Sequence, residues 1–207
     1  MQRELFPRWL APPARLSLAA DQVDVWRIDL GHGPDVPART QREHAHRALQ
    51  RILSVYLTCS PDDLRLARQA GGKPYLPDPR HSIEFNLSHG RDMALVAISK
   101  TFQVGIDIES WRKIEDPLRL ARRVMSSGEL AELEALPSQD RTERFLRLWT
   151  RMEARQKAIG LGVFSRPVDR TQLTSFDFRP GVDRYASLSV SPPVGDPELR
   201  FLEYVPL

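Results

Sequence analysis

The chain has almost no cysteine and no long apolar segment. Cys59 is the only cysteine among 207 residues, so a disulfide within the chain is impossible. No apolar run approaches the length that spans a bilayer, and the segment Met1–Leu10 lacks the apolar region of a secretory signal. These absences argue against a disulfide scaffold and against a membrane protein. We therefore expect a cytoplasmic protein that has no membrane partner.

Lysine is also scarce, so arginine carries most of the positive charge. The only lysines are Lys73, Lys100, Lys113 and Lys157, so arginine supplies most of the 30 basic side chains, against 27 acidic ones. The planar arginine fork suits phosphate groups, although arginine-rich usage can equally reflect a GC-rich genome. No basic stripe with interleaved aromatic residues is present, so a nucleic-acid partner is not expected.

The hydrophobic pattern predicts a mixture of helices and strands. The length of 207 residues fits one large domain or two small ones. The spacing of apolar residues predicts helices at 38–57, 116–124 and 141–159. A proline supports the start of the helix at 116–124, and a capping box predicts a further helix that begins at Ser126. Alternating patterns predict strands at 23–30, in an antiparallel meander over 82–109, around 176–190, and at 199–205 in the second half of the chain.

The stretch V-G-I-D-I-E-S, residues 104–110, places two acids on one side of a predicted strand. Side chains alternate between the faces of a strand, so Asp107 and Glu109 share one face while Ile106 and Ile108 share the other. Two carboxylates this close are compatible with a solvent-exposed face. They are also the ligands that Mg²⁺ prefers when it binds phosphate groups as well. The stretch alone favours the first interpretation.

A second acidic group lies on the long helix predicted at 141–159. Trp149, Glu153 and Lys157 are successive i, i+4 neighbours, so they form a line along the helix beside its apolar face. The Glu153–Lys157 pair could be an exposed salt bridge that contributes little. If the helix packs against the Asp107 strand, however, the pair supplies a third carboxylate and an ammonium to a metal and phosphate site.

These two motifs together resemble a known family. G-I-D-I-E (105–109) followed by W-T-R-M-E-A-R-Q-K-A-I-G (149–160) resembles the 4′-phosphopantetheinyl transferases of the surfactin-synthetase-activating type. Four further segments agree in order and spacing: A-H-R-A-L (45–49), G-K-P-Y-L (72–76), F-N-L-S-H (85–89) and S-S-G-E (126–129). The resemblance covers about residues 38–165.

The resemblance implies a fold and an activity. The fold would be α+β, with two similar halves related by pseudo-twofold symmetry, each an antiparallel sheet packed with helices. The halves would comprise residues 1–105 and 106–207, with coenzyme A in the cleft between them. The enzyme would be a monomer that transfers the 4′-phosphopantetheine arm of coenzyme A to a serine of an apo acyl or peptidyl carrier protein. Adenosine 3′,5′-bisphosphate would be released, and Mg²⁺ would be required.

The resemblance also implies roles for individual residues. Asp107, Glu109 and Glu153 would bind Mg²⁺, and Lys157 would contact the diphosphate. The nucleotide phosphates would be bound by four residues of the first half: Arg47, Lys73, Ser88 and His89. Glu153, or Glu129 through a water molecule, would accept the proton of the carrier serine. A capping box with Ser126 explains Glu129 without any catalytic role.

One position departs from the family pattern. Met152 stands where the family has lysine, which removes one positive charge near the metal and diphosphate. Arg155, one turn along the helix, is a candidate substitute. This departure keeps open a second hypothesis, in which the chain is a non-catalytic homologue that binds coenzyme A or a carrier protein without transfer. We expect weakened coenzyme A binding or slower turnover.

Overall fold

The computed structural model describes residues 4–31, 37–161, 172–192 and 197–206. The helices in this part of the chain are α1 (Ala38–Leu57), α2 (Pro117–Val124), α3 (Ser127–Ala135) and α4 (Ser138–Ala158). The first strands are β1 (Gln22–Asp29), β2 (Ala67–Arg68), β3 (Pro74–Tyr75), β4 (Glu84–His89) and β5 (Met93–Ser99). The later strands are β6 (Gln103–Ser110), β7 (Thr174–Phe178), β8 (Arg184–Ser191) and β9 (Glu198–Glu203). The last residues of the family-like region, 162–165, lie outside the described residues.

Two sheets and their covering helices form the fold. The first sheet has the order β4-β5-β1-β9, the second has the order β6-β8-β7, and β2 and β3 form a separate two-stranded ribbon. All pairings are antiparallel except that of β1 with β9. The predicted α+β class, with antiparallel sheets packed against helices, is confirmed. The pseudo-twofold relation and the boundary after residue 105 stay predictions.

The predicted three-strand meander over 82–109 is wrong in its third strand. β4 and β5 pair as expected, but β6 pairs with β8 in the second sheet. The reason is that β5 already has β4 on one edge and β1 on the other, so no edge is left for β6. Both β4 and β6 are therefore edge strands, and each lies at the border of its own sheet.

The last strand belongs to the first sheet, although it comes from the second of the two predicted halves of the chain. β9 runs parallel to β1, with Leu199 opposite Val23 and Leu202 opposite Trp26. A parallel partner of this kind comes from far along the chain, so no local sequence pattern shows it. The N-terminal segment contacts both sheets. Leu5 forms an isolated bridge with Phe178 of β7 in the second sheet, and Leu10 forms one with Leu202 of β9 in the first.

Helix α4 packs directly on β6, and Gly105 makes this contact possible. A Cβ atom at position 105 would lie 2.1 Å from the carbonyl oxygen of Ala154 and 2.2 Å from the amide nitrogen of Ala158. Only glycine therefore permits the approach. On the other face of β6, Ile106 and Ile108 are buried in a core that the second sheet shares with β1 and β5 of the first sheet, as the alternation predicts. The acidic face of β6 is left beside α4.

Among the helices in the described residues, none is both long and apolar enough to cross a membrane.

Candidate active site

Asp107 is the centre of a buried polar cluster. Only 3% of Asp107 is exposed. Its Oδ1 accepts hydrogen bonds from the ammonium of Lys157 (2.5 Å) and from the hydroxyl of Ser88 (2.9 Å). The Lys157 ammonium also lies 3.2 Å from Ser88 Oγ and 3.3 Å from Glu153 Oε2. Residues of β4, β6 and α4 thus converge on one point, as the two acidic motifs predict.

Two carboxylates of the cluster, Glu153 and Glu109, have raised pKa values. Burial and the nearby charge of Asp107 raise the pKa of Glu153 to about 7. Burial, which outweighs a hydrogen bond from Arg112, raises the pKa of Glu109. Burial alone would lower the pKa of Lys157, but Asp107 and Glu153 raise it above its usual value. The ammonium of Lys157 therefore carries a full charge among three carboxylates.

The carboxylates of Asp107, Glu109 and Glu153 are the type of ligand that a hard cation prefers, although the three do not surround a common position in this structure. Asp107 Oδ2 is buried and has no hydrogen-bond partner among the described residues. A buried carboxylate oxygen without a donor is costly, and a cation would satisfy it. No group of three His, Cys, Asp or Glu side chains in the described ranges has metal-binding geometry as it stands. Lys157 occupies the space between Asp107 and Glu153.

A cationic cavity of about 360 Å³ opens beside this cluster. Its charged or titratable lining residues are Arg42, His46, Arg68, Lys73, His89 and Lys157. None of the described residues that line it is acidic. A cleft lined by one sign of charge concentrates ligands of the opposite sign. Lys157 belongs to both the cavity and the carboxylate cluster, so a polyanion in the cavity would reach the cluster at one end.

The predicted phosphate-binding residues have different positions in the structure. His89 is exposed and lines the cavity. Arg47 is exposed and is not among the described residues that line it. Lys73 lines the cavity, but its ammonium donates to the carbonyl oxygens of Val104 (2.9 Å) and Ala158 (3.2 Å). The Ser88 hydroxyl points to Asp107. Of these four, His89 is the one that lines the cavity and whose side chain makes no hydrogen bond or salt bridge to the rest of the described chain.

Two cavity residues, His46 and Arg68, were missed by the sequence interpretation. Arg42 and His46 lie one turn apart on α1, and Arg68 lies on β2. Burial, followed by the charges of Arg68, His89 and Arg42, lowers the pKa of His46. The sequence does indicate this arrangement. Arg42 lies four residues before His46 of the A-H-R-A-L motif, so the two share one side of the helix, while Arg47 lies on another side.

Glu129 is explained by the helix that it begins. Its carboxylate accepts hydrogen bonds from the Ser126 amide (3.0 Å) and the Ser126 hydroxyl (2.8 Å), which completes the predicted capping box. This carboxylate is thereby held at the start of α3. The structure thus gives Glu129 a structural use, and its catalytic role stays a prediction.

Comparison with known proteins decides the family. A family model described as the 4′-phosphopantetheinyl transferase superfamily matches residues 103–200. The 4′-phosphopantetheinyl transferase HetI of Nostoc sp. is 35% identical over an alignment of 179 residues, and the match covers 75% of this chain and 76% of that protein. The chain belongs to the 4′-phosphopantetheinyl transferase superfamily. The prediction that it is an enzyme of this class is confirmed.

Other members of the superfamily match over shorter regions. The 4′-phosphopantetheinyl transferase Sfp of Bacillus subtilis is 32% identical over 134 residues, which are 62% of this chain and 58% of Sfp. AcpT of Escherichia coli K12 is 40% identical over 89 residues, which are 43% of this chain and 45% of AcpT. The predicted resemblance to the superfamily is therefore confirmed, while the surfactin-synthetase-activating type remains a finer prediction.

No neighbouring arginine on α4 replaces the lysine that this transferase lacks at position 152. Arg151 forms a salt bridge with Asp177 of β7. Arg155, the suggested substitute, donates from Nε to the hydroxyl of Ser175 on β7 (3.1 Å). Both guanidinium groups therefore contact the second sheet. Lys157 is the one lysine of α4, and it contacts both Asp107 and Glu153.

Proposed function

We propose that this chain transfers the 4′-phosphopantetheine arm of coenzyme A to a serine of an apo acyl or peptidyl carrier protein. Adenosine 3′,5′-bisphosphate would be the second product, and the reaction would depend on Mg²⁺. The proposal rests chiefly on Lys157, which lines the cationic cavity and also contacts Asp107 and Glu153. One side chain thereby joins a polyanion-binding space to a set of carboxylates.

The cavity suits the nucleotide part of coenzyme A. Arg42, His46, Arg68 and His89 present positive or protonatable groups to the cavity. Coenzyme A carries a 3′-phosphate and a diphosphate, and phosphate groups bind such clusters well. We propose that these residues bind the 3′-phosphate side of the ligand and that Lys157 contacts the diphosphate.

The carboxylates suit a cation bound with the diphosphate. Asp107, Glu109 and Glu153 would hold Mg²⁺, with Asp107 Oδ2 as one ligand atom. When bound, Mg²⁺ would neutralise the negative charge that develops on the diphosphate during transfer. The positive charge of Lys157 acts in the same direction, because it too would lie beside the phosphate oxygens.

The chemical step moves one phosphoryl group. The serine oxygen of the carrier forms a bond to the phosphorus nearest pantetheine, and the bond from that phosphorus to the bridging oxygen breaks. The bridging oxygen leaves with adenosine 3′,5′-bisphosphate. We propose that Glu153 accepts the serine proton, because its carboxylate lies beside Lys157, which itself lines the cavity. Glu129, held in its capping box, is the weaker candidate.

A mass measurement tests this proposal. Apo carrier protein is incubated with the enzyme, coenzyme A and Mg²⁺, and its mass is compared with that of a sample containing EDTA. We expect the carrier to gain the mass of the phosphopantetheine arm only when Mg²⁺ is present. If no carrier gains the arm at high enzyme concentration, while coenzyme A still binds, the non-catalytic alternative suggested by Met152 replaces this proposal.

We further propose that the enzyme is of the surfactin-synthetase-activating type and acts in the cytoplasm as a monomer with no nucleic-acid partner. The ordered set of motifs from 45–49 to 149–160 supports the type. The absence of a disulfide supports the compartment. Sedimentation of the purified protein at several concentrations tests the oligomeric state, and a concentration-dependent dimer would contradict it.

A further inference from the structure

The motif F-N-L-S-H on β4 connects the two sheets. Asn86 Oδ1 accepts the amide of Ile106 on β6 (2.9 Å), and the hydroxyl of Ser88 donates to Asp107 on the same strand. Alternation along β4 places Asn86 and Ser88 on one face and His89 on the other, and both Asn86 and His89 line the cavity. Both edge strands are thus held together by side chains that lie two residues apart.

The direction of each hydrogen bond follows from the chemistry of the groups. A lysine ammonium can only donate, so Ser88 Oγ must accept from Lys157 and give its own hydrogen to Asp107 Oδ1. Asp107 Oδ1 then receives two donors, from Ser88 and from Lys157. Its other oxygen, Oδ2, is buried and has no partner among the described residues.

We propose that Ser88 is a positioning residue for the metal site, because its hydroxyl holds the Asp107 carboxylate through Oδ1 and would leave Oδ2 available to a cation. This role differs from the phosphate contact implied by the family resemblance. Ser88 is itself only 8% exposed and is not among the described residues that line the cavity. A hydroxyl committed to Asp107 Oδ1 orients the ligand in the way that outer partners orient metal-binding side chains.

This inference rests on the proposed function, because it assigns a residue to the proposed cation. It is tested by cation affinity rather than by activity. Mn²⁺ serves as the probe, and free Mn²⁺ is measured by electron paramagnetic resonance in the presence of saturating coenzyme A. The variants are S88A, which removes the hydroxyl, and S88T, which keeps it. S189A is the matched control, because Ser189 is also fully buried and its hydroxyl contacts Ser175 instead.

We expect S88A to bind Mn²⁺ at least about tenfold more weakly than the native protein, as removal of such outer partners does elsewhere. S88T should recover much of the loss, and S189A should bind Mn²⁺ as the native protein does. The affinity of S88A for coenzyme A in EDTA, measured by calorimetry, should stay within about twofold. If S88A does not fold, S88C keeps the volume with a weaker donor and should show the same loss.

Two results would overturn the inference. In one, folded S88A binds Mn²⁺ within about twofold of the native affinity. In the other, S88A loses coenzyme A affinity in EDTA but keeps its Mn²⁺ affinity, which would make the hydroxyl a phosphate ligand. If the native protein transfers the arm while either result holds, the inference fails and the proposed function stands. If S88A loses Mn²⁺ affinity but the native protein transfers nothing, the proposed function fails instead.

Discussion

The residues of the candidate site fall into two groups by position: those in the charged cluster and those that line the cavity. Asp107, Glu153 and Lys157 form the buried charged cluster, while His46 and His89 face the cavity. Side chains that contact only the cluster should affect the transfer step. Those that contact only the cavity should affect coenzyme A affinity.

The first residue-scale prediction concerns Asp107. D107A should reduce Mg²⁺-dependent transfer by at least about 100-fold, because it removes the proposed metal ligand and leaves Lys157 with one carboxylate partner fewer. Transfer is measured as the initial rate of carrier modification, and circular dichroism checks that the fold is kept. E132Q is a suitable control, because Glu132 lies on α3 and pairs with Arg144. A D107A rate within threefold of native would contradict the role.

The second residue-scale prediction concerns the charge of His46. Because burial and three nearby cations lower its pKa from 6.5, the His46 ring should be neutral at pH 7 in the free protein. An anion bound in the cavity favours the protonated ring, so adenosine 3′,5′-bisphosphate should raise this pKa. The measurement is a histidine titration by nuclear magnetic resonance, with H46N used to assign the signal. A pKa that is unchanged by the ligand would place the phosphates elsewhere.

The third residue-scale prediction concerns Met152. M152K restores the family lysine, and because Arg151 and Arg155 are occupied by β7, the added charge should not be redundant. A charged hydrogen bond to phosphate corresponds to about a tenfold gain in coenzyme A affinity or turnover. M152Q, of similar length but neutral, is the control. Equal affinity and rate in M152K and the native protein would show that position 152 does not limit the site.

At the scale of the elements, the approach of α4 to β6 decides whether the site forms. Gly105 permits the contact, and Lys73 secures it by donating to carbonyl oxygens on both elements. The β4 edge is joined to β6 by Asn86. A substitution that moves α4 away from β6 would separate the carboxylates of the cluster even though it replaces none of them.

G105A tests the close approach. The added methyl group would lie 2.1 Å from the Ala154 carbonyl oxygen, so strand and helix must move apart, at a cost of about 1–3 kcal/mol or more of unfolding free energy. Urea denaturation measures the cost. G128A on α3 is the matched control, since nothing lies within 4 Å of its added methyl group and alanine favours a helix. Equal stability of G105A and native protein would refute the argument.

K73M tests the bridge between β6 and α4. It leaves the Val104 and Ala158 carbonyl oxygens without their buried donor, which should lower the free energy of unfolding by about 1–3 kcal/mol. K100M replaces an exposed lysine and should change stability by less than about 0.5 kcal/mol. If K73M loses coenzyme A affinity without losing stability, the ammonium binds phosphate, as the family resemblance implies.

Local patterns in the sequence predicted the elements well, and pairings between distant segments poorly. Alternation correctly placed Ile106 in the core and Asp107 on the opposite face, because strand periodicity depends on neighbours alone. The sheet to which β6 or β9 belongs depends on which edges are free elsewhere, and no short stretch records that. For the same reason the sequence brought Glu153 and Asp107 together only through family resemblance. The family resemblance assigned Lys73 and Ser88 to a ligand, and the hydrogen bonds that both make across the sheet border are not visible in any one motif.

At the scale of the whole molecule, each end of the chain is joined to the sheet of the other half. Leu5 pairs with β7, and Glu4 forms salt bridges with Arg147 and Arg179. Strand β9 pairs with β1. The proposed halves at 1–105 and 106–207 therefore share backbone hydrogen bonds, and we expect them to unfold together rather than one after the other.

Because β1 pairs with β9, the first sheet can be completed only after the last strand has been synthesised. Until residues 198–203 have emerged, β1 is an edge strand whose amide and carbonyl groups face outward. The nascent first half is thus an incomplete sheet, open to pairing with other chains, while most of the enzyme is still being synthesised. Chaperone dependence and the yield of soluble protein should accordingly respond to mutations in the last strand, which supplies none of the residues proposed to bind coenzyme A.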